Sequence, residues 1–201
     1  KSELGVSKST LSIWLRNYPL TAEEINALRG RSEIRIEKYR KTMQQKRESR
    51  LQSYYDEEKK KLLPFSKKEL VIAGLFLYWG EGNKSQRSTL SINNTDPQVV
   101  KFALYWVVNG LNIPRDKVQV FLHLYDDMNE AEEKNYWSKA LHIPLGQFAK
   151  PYIKKSKRID LDHKGFGHGT CGIRVFDTML KEKVLMGLDA IADFYEDKLG
   201  K

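Results

Sequence analysis

Cysteine occurs once in the 201 residues, as Cys171, so no disulfide can close within the chain and no thiolate-rich zinc site can be built from it. No apolar run approaches the roughly 20 residues that a bilayer-crossing helix needs. The opening Lys1-Ser2-Glu3-Leu4 has neither the charged nor the apolar region of a secretory signal. These absences point to a protein of a reducing compartment, cytoplasmic and without a membrane partner. No glycine-rich phosphate loop and no nucleophile elbow is present, so neither nucleotide-cofactor chemistry nor a small-molecule substrate is indicated. Carboxylates are missing from the run Lys150-Pro151-Tyr152-Ile153-Lys154-Lys155-Ser156-Lys157-Arg158, and over the whole chain 35 Lys and Arg outweigh 26 Asp and Glu, for a formal charge of +9. Such a balance favours polyanionic partners, whose counterions are released on binding.

Three textures follow one another: residues 1–18, a densely charged stretch over 19–63, and residues 64–201, where strand and helix signals alternate. The length suits one domain of ordinary size with an appendage. The middle stretch is rich in Glu, Lys, Arg and Gln, with Gly30 as its lone glycine, and predicts one or two long helices. Its apolar residues Ile36, Tyr39, Met43, Leu51 and Tyr54 keep helical spacing but skip a turn. That thin stripe suits a solvated connecting arm better than a coiled coil. A helix of some forty residues reaches about 60 Å, enough to separate two DNA-contacting modules.

Beyond Pro64 the periodicity predicts helices over 67–81, 96–110, 128–141 and 177–197 and strands over 88–93, 117–124, 149–155 and 170–176, an α+β sandwich of helices on a mixed or antiparallel sheet. Ser66 and Asp96 are expected helix N-caps, the latter followed by Pro97 at the first helical position. Strand alternation turns Leu90, Ile92, Val118, Val120, Leu122, Leu124, Ile153, Ile173 and Val175 toward the helices. The opposite face then presents Arg87, Thr89, Ser91, Asn93, Gln119, His123, Lys150, Tyr152, Lys154, Ser156, Arg158 and Arg174. On a twisted sheet lying along a DNA groove, the Arg and Lys residues suit guanine edges, Gln and Asn suit adenine, and the remaining cations suit phosphate. A merely solvated sheet face is the plainer alternative.

Two stretches carry resemblances. Leu4-Gly5-Val6-Ser7-Lys8-Ser9-Thr10-Leu11-Ser12-Ile13-Trp14-Leu15-Arg16 resembles the second half of a helix-turn-helix, with Gly5 in the turn, Ser7 as cap and Val6, Leu11 and Leu15 facing inward. The resemblance implies that Lys8, Ser9, Thr10 and Ser12 reach base edges, that Arg16 meets phosphate, and that the motif's first helix precedes Leu4. Trp14 is expected to pack.

Ile72-Ala73-Gly74-Leu75-Phe76-Leu77-Tyr78-Trp79-Gly80-Glu81-Gly82 is an apolar helix closed by an acid between glycines. It resembles the motif of the LAGLIDADG homing endonucleases in its Gly-Glu-Gly form. Leu90-Ser91-Ile92-Asn93-Asn94-Thr95-Asp96 and Gly169-Thr170-Cys171-Gly172-Ile173-Arg174-Val175, each followed by a helix, are also similar to that family, so the likeness spans roughly residues 67–197. It implies a LAGLIDADG-like sandwich, a homodimer joined along Ala73, Leu77 and Gly80, and a Mg²⁺-binding, catalytic Glu81 assisted by Lys84 on double-stranded DNA. Gly74 lies two residues further from the acid than that motif's spacing, and Tyr78 and Trp79 are bulkier than its usual occupants. Two functions stay open, a metal-dependent DNA endonuclease and a regulator that binds DNA without cutting it and needs no cofactor. Among other polar clusters, Asp160, Asp162, His163, His168 and Cys171 suit a polar loop better than a zinc site, while His123, Asp126 and Asp127 suit a bound cation or, equally, a helix cap made by Asp126 or Asp127.

Overall fold

The computed structural model describes residues 5–156 and 167–199. The chain divides into two compact units, Lys1–Leu63 and Pro64–Lys201.

The first unit is helical. Gly5 adopts a positive φ of 62°, as the turn requires, and Ser7 caps helix α1 (Lys8–Trp14) by accepting from the Thr10 amide. A short 3₁₀ turn, Leu15–Asn17, follows. Helix α2 runs unbroken over Ala22–Leu62, 41 residues, and opens with a capping box in which Thr21 and Glu24 satisfy each other's backbone amides. Accepting from Thr21 holds the Glu24 carboxyl below the usual range. α1 does not pack inward as its sequence leads one to expect. None of its residues is buried, and Leu15, just past its end, is 58% exposed. Val6 and Leu11 are half-buried, since so short a helix and one turn enclose no core of their own.

The second unit is an α+β domain with a four-stranded mixed sheet in the order β1-β4-β2-β3. Its strands are β1 (Thr89–Asn94), β2 (Gln119–Tyr125), β3 (Tyr152–Lys154) and β4 (Thr170–Phe176). β4 pairs antiparallel with both β1 and β2, and β3 runs parallel to β2. Helices α3 (Lys67–Glu81), α4 (Pro97–Tyr105), α5 (Glu130–Leu141) and α6 (Thr178–Leu199) complete it. Ser66 caps α3 in a second capping box with Glu69, and Asp96 caps α4 with Pro97 at its first position.

One face of the sheet supplies Leu90, Ile92, Val120, Leu122, Leu124, Ile173 and Val175 to a core completed by the helices, as alternation predicts. Ile153 shares that face with its partner Leu124 yet stays 40% exposed, because β3 is a three-residue edge strand. The expected helix over 96–110 is α only to Tyr105; Trp106–Gly110 winds as a π-helical turn, and the Leu111 amide reaches back to the Trp106 carbonyl. The cause is Trp106, which is fully buried against α3. A Cβ on Gly74 would lie 2.0 Å from its indole ring, and the Tyr78 ring stands 6.3 Å away. Asn129, not Asp126 or Asp127, caps α5.

Candidate nucleic-acid interface

The sheet face turned away from the helices is built by cross-strand register. Phe176, Arg174, Gly172 and Thr170 of β4 lie between Thr89, Ser91 and Asn93 of β1 and Gln119, Phe121 and His123 of β2, with Tyr125, Tyr152 and Lys154 extending the surface to the β3 edge. No carboxylate occupies any of these positions.

At its centre stands Arg174. Its Nε and Nη2 both donate to Gln119 Oε1, at 2.9 and 2.6 Å. The guanidinium lies 5.4 Å from the Phe121 ring centre and 5.0 Å from that of Phe176, a placement that favours a cation through the ring quadrupoles. Phe121 lies across Gly172, where a Cβ would come within 2.2 Å of the ring. Glycine is required here for room, since any side chain would lift the phenyl off the sheet. The aromatic surface continues from Phe121 to His123 and from His123 to Tyr152, each step 5.5 Å between ring centres. Lys154 Nζ sits 5.0 Å over the Tyr125 ring. Burial first, and then the Lys154 charge, hold the His123 imidazole below its ordinary pKa of 6.5, which favours the neutral ring at neutral pH.

Several expected contacts lie elsewhere. Thr89 and Ser91 are on the predicted face but only 4% and 5% exposed, so neither presents its hydroxyl to a groove. Their cross-strand neighbours Phe176 and Arg174 are larger, and the other flank of β1 is taken by Gly82, which bridges to Ile92, and by Asn83, whose amide donates to the Ser91 carbonyl. Arg87 is exposed in the loop before β1 and Lys150 in the loop before β3, outside the strands. Asn93 is half-buried beside Gly172, and Ser156 is exposed beyond β3. Arg158 lies outside the described residues, as do Asp160, Asp162 and His163. Phe121, Tyr125 and Phe176 were not among the expected contacts, although strict alternation from Gln119 and Arg174 places them on this face.

The foot of α3 is the second candidate region. Gly82 ends the helix with an extended backbone, and Glu81 is exposed just before it. Lys84, expected to steady phosphate, is exposed but donates to the Trp79 carbonyl at 2.5 Å, closing the helix end. Behind it Lys181 is 1% exposed and donates to the carbonyls of Asn83 and Thr89, tying both ends of the loop. Burial, aided by the nearby Lys84 charge, lowers the Lys181 pKa. The Tyr78 hydroxyl donates to the same Asn83 carbonyl at 2.6 Å, and burial pushes its pKa up to about 12. Among the described residues no group of three His, Cys, Asp or Glu side chains could hold a metal ion. Glu81, exposed at this end of α3, is thus not part of such a group.

The long faces of α3 serve different ends. Leu70, Gly74, Leu75 and Tyr78 are buried in the domain, whereas Ile72, Phe76 and Trp79 are 37%, 50% and 44% exposed. Ala73 and Leu77 flank the two faces half-buried, and nothing lies within 4 Å of a Cβ built on Gly80. Trp79 stacks beside Phe76 at 5.8 Å, on the outer side rather than against the sheet.

In the first unit Lys8, Ser12 and Arg16 are exposed, but the hydroxyls of Ser9 and Thr10 turn back to Ser7 Oγ at 2.7 and 2.8 Å, so both belong to the cap. Trp14, expected to pack, is 56% exposed. His168, from the other polar cluster, bonds Glu133 Oε2 at 2.8 Å and stacks on Tyr136. Cys171 is buried, which raises its thiol pKa well above the ordinary value. No described helix is long and apolar enough to cross a membrane. Comparison with family models, with curated proteins and with solved structures finds no match to this chain.

Proposed function

We propose that the protein binds DNA through the open face of its sheet and acts as a dimer. The observation that carries this reading is that face itself: Arg174, Lys154, His123, Gln119 and Asn93 around aromatic rings, with no carboxylate on its strands. Cations in this setting neutralise phosphate, and the donors of Asn93 and those that Arg174 and Gln119 do not share with each other meet nucleic acid beside the rings. The exposed stripe Ile72, Phe76 and Trp79, flanked by Ala73, Leu77 and Gly80, supports pairing of two α3 helices, which would withdraw large apolar side chains from water.

Titrating supercoiled plasmid with the full chain at increasing salt tests the binding. We expect retardation that weakens by orders of magnitude between about 50 and about 200 mM salt, as counterion release requires. Absence of retardation at the lower salt overturns the reading.

A second reading, metal-assisted cleavage, is favoured by the exposed position of Glu81 at the helix foot. Glu81 alone gives too few ligands, but two chains joined along α3 would bring two Glu81 side chains to hold Mg²⁺. The ion's contribution would be to polarise a phosphodiester and lower the pKa of water. Lys84, engaged with the Trp79 carbonyl, would anchor the helix end that carries the acid. Plasmid nicking that needs Mg²⁺, stops with EDTA and is lost in Glu81→Gln supports cleavage. Retardation without nicking leaves binding as the activity, that of a transcriptional or mobile-element regulator.

A further inference from the structure

We propose that the open sheet face is a stacking platform for unpaired bases, so that its preferred ligand is a single-stranded or locally opened stretch of nucleic acid rather than continuous duplex. This rests on the reading of that face as the nucleic-acid interface. Three rings adjoin there, Phe121, His123 and Tyr152, and a fourth, Phe176, stands across the Arg174 guanidinium from Phe121. Tyr152 and Phe176 are each 63% exposed, and Phe121 and His123 are half-buried between them in the register of β4, β2 and β3. Exposed rings of this size on a strand surface lie against water at a cost unless a ligand covers them. The flat face of a base is the apolar surface that matches a ring, and every base offers one.

The polar groups beside the rings argue against continuous duplex. Reading paired bases in a major groove takes long polar side chains free to extend from the strands. Two of the longest, Gln119 and Arg174, are bonded to each other, with Arg174 held between Phe121 and Phe176. Thr89 and Ser91 are buried. What remains is the pattern that tracks one strand: rings for bases, and Lys154 with the exposed Lys150 and Lys155 around β3 for its phosphates. Gly172 belongs to the same device, because it is the space over this glycine that lets Phe121 settle onto the sheet.

Fluorescence anisotropy with the full chain, at one salt concentration, compares a labelled single-stranded DNA, an RNA of the same sequence and the corresponding DNA duplex. Tyr152→Leu and Phe176→Leu alter the most exposed rings, and a thermal melt checks that each variant folds. At least one of the two single strands should bind about tenfold more tightly than the duplex, and each Leu variant should weaken that strand about tenfold while changing the duplex less than about twofold. Which strand binds says whether DNA or RNA is the natural ligand. Duplex binding as tight as either single strand, or Leu variants that leave single-strand binding unchanged, would overturn the stacking platform. The wider reading then survives if Lys154→Glu still weakens the duplex. Failure of all three ligands to bind removes both.

Discussion

Gly74 and Lys181 show how single side chains set this domain's stability. The indole of Trp106 occupies the space where Gly74 would carry a Cβ, and both are locked between α3 and the π-helical turn. Gly74→Ala therefore overpacks a fully buried contact and is expected to cost about 3 kcal/mol, the upper part of the range for such insertions. Urea denaturation checks it, and a loss under about 1 kcal/mol would mean that the tryptophan can move aside. At Lys181, Ala leaves the Asn83 and Thr89 carbonyls without the buried ammonium they share. The expected loss, read in the same way, is about 2 kcal/mol, because desolvation of the charge offsets part of what its hydrogen bonds contribute. His123 supplies a pH dependence. Its pKa is lowered in the folded protein, so it contributes stability above its ordinary value of 6.5 that is lost as pH falls through the lowered value. A phosphate bound near His123 would oppose that shift, so that binding is coupled to proton uptake by the imidazole. Affinity for nucleic acid should accordingly rise between about pH 7.5 and about pH 5.5 more steeply in the wild type than in His123→Gln. Equal slopes would place His123 away from the phosphates.

At the scale of elements, much of the architecture is legible because its signals are local. Ser66 and Asp96 with Pro97 start helices within one residue of the expected positions. The alternation Val118, Val120, Leu122, Leu124 marks the buried side of β2. What the sequence conceals arises between elements. The π-helical turn depends on Trp106 meeting Gly74, thirty-two residues earlier. Burial of Thr89 and Ser91 depends on their β4 neighbours and on the Asn83 segment, none of which period-two reasoning about β1 contains. Alternation places Phe121 and Phe176 on the open face, but base-edge chemistry singles out hydrogen-bonding side chains and not rings. α3 also has a consequence at this scale. Its outer stripe is the surface proposed for pairing, so Phe76→Glu should leave the melting temperature within a few degrees of the wild type, since Phe76 is half exposed. The same change should convert a dimer to a monomer in light scattering, and an unchanged dimer would move the contact off this face.

Across the whole molecule, a net charge of +9 draws the protein toward any polyanion, and overall charge alone cannot distinguish a dedicated surface from diffuse attraction. The two units differ in this respect. The 41-residue α2 carries charges of both signs on an exposed helix, whereas the open face of the sheet carries one sign around a set of rings. Local rather than total charge therefore defines the proposed interface, and matched reversals separate the two. Lys154→Glu on the sheet and Lys139→Glu on the exposed surface of α5 change the net charge equally. Measured against one labelled oligonucleotide over a salt series, Lys154→Glu should weaken binding roughly tenfold and flatten the slope of log affinity against log salt by about one unit or more, while Lys139→Glu stays within about twofold of the wild type. Equal losses from the two variants, or a larger loss from Lys139→Glu, would contradict the assignment of the sheet as the interface.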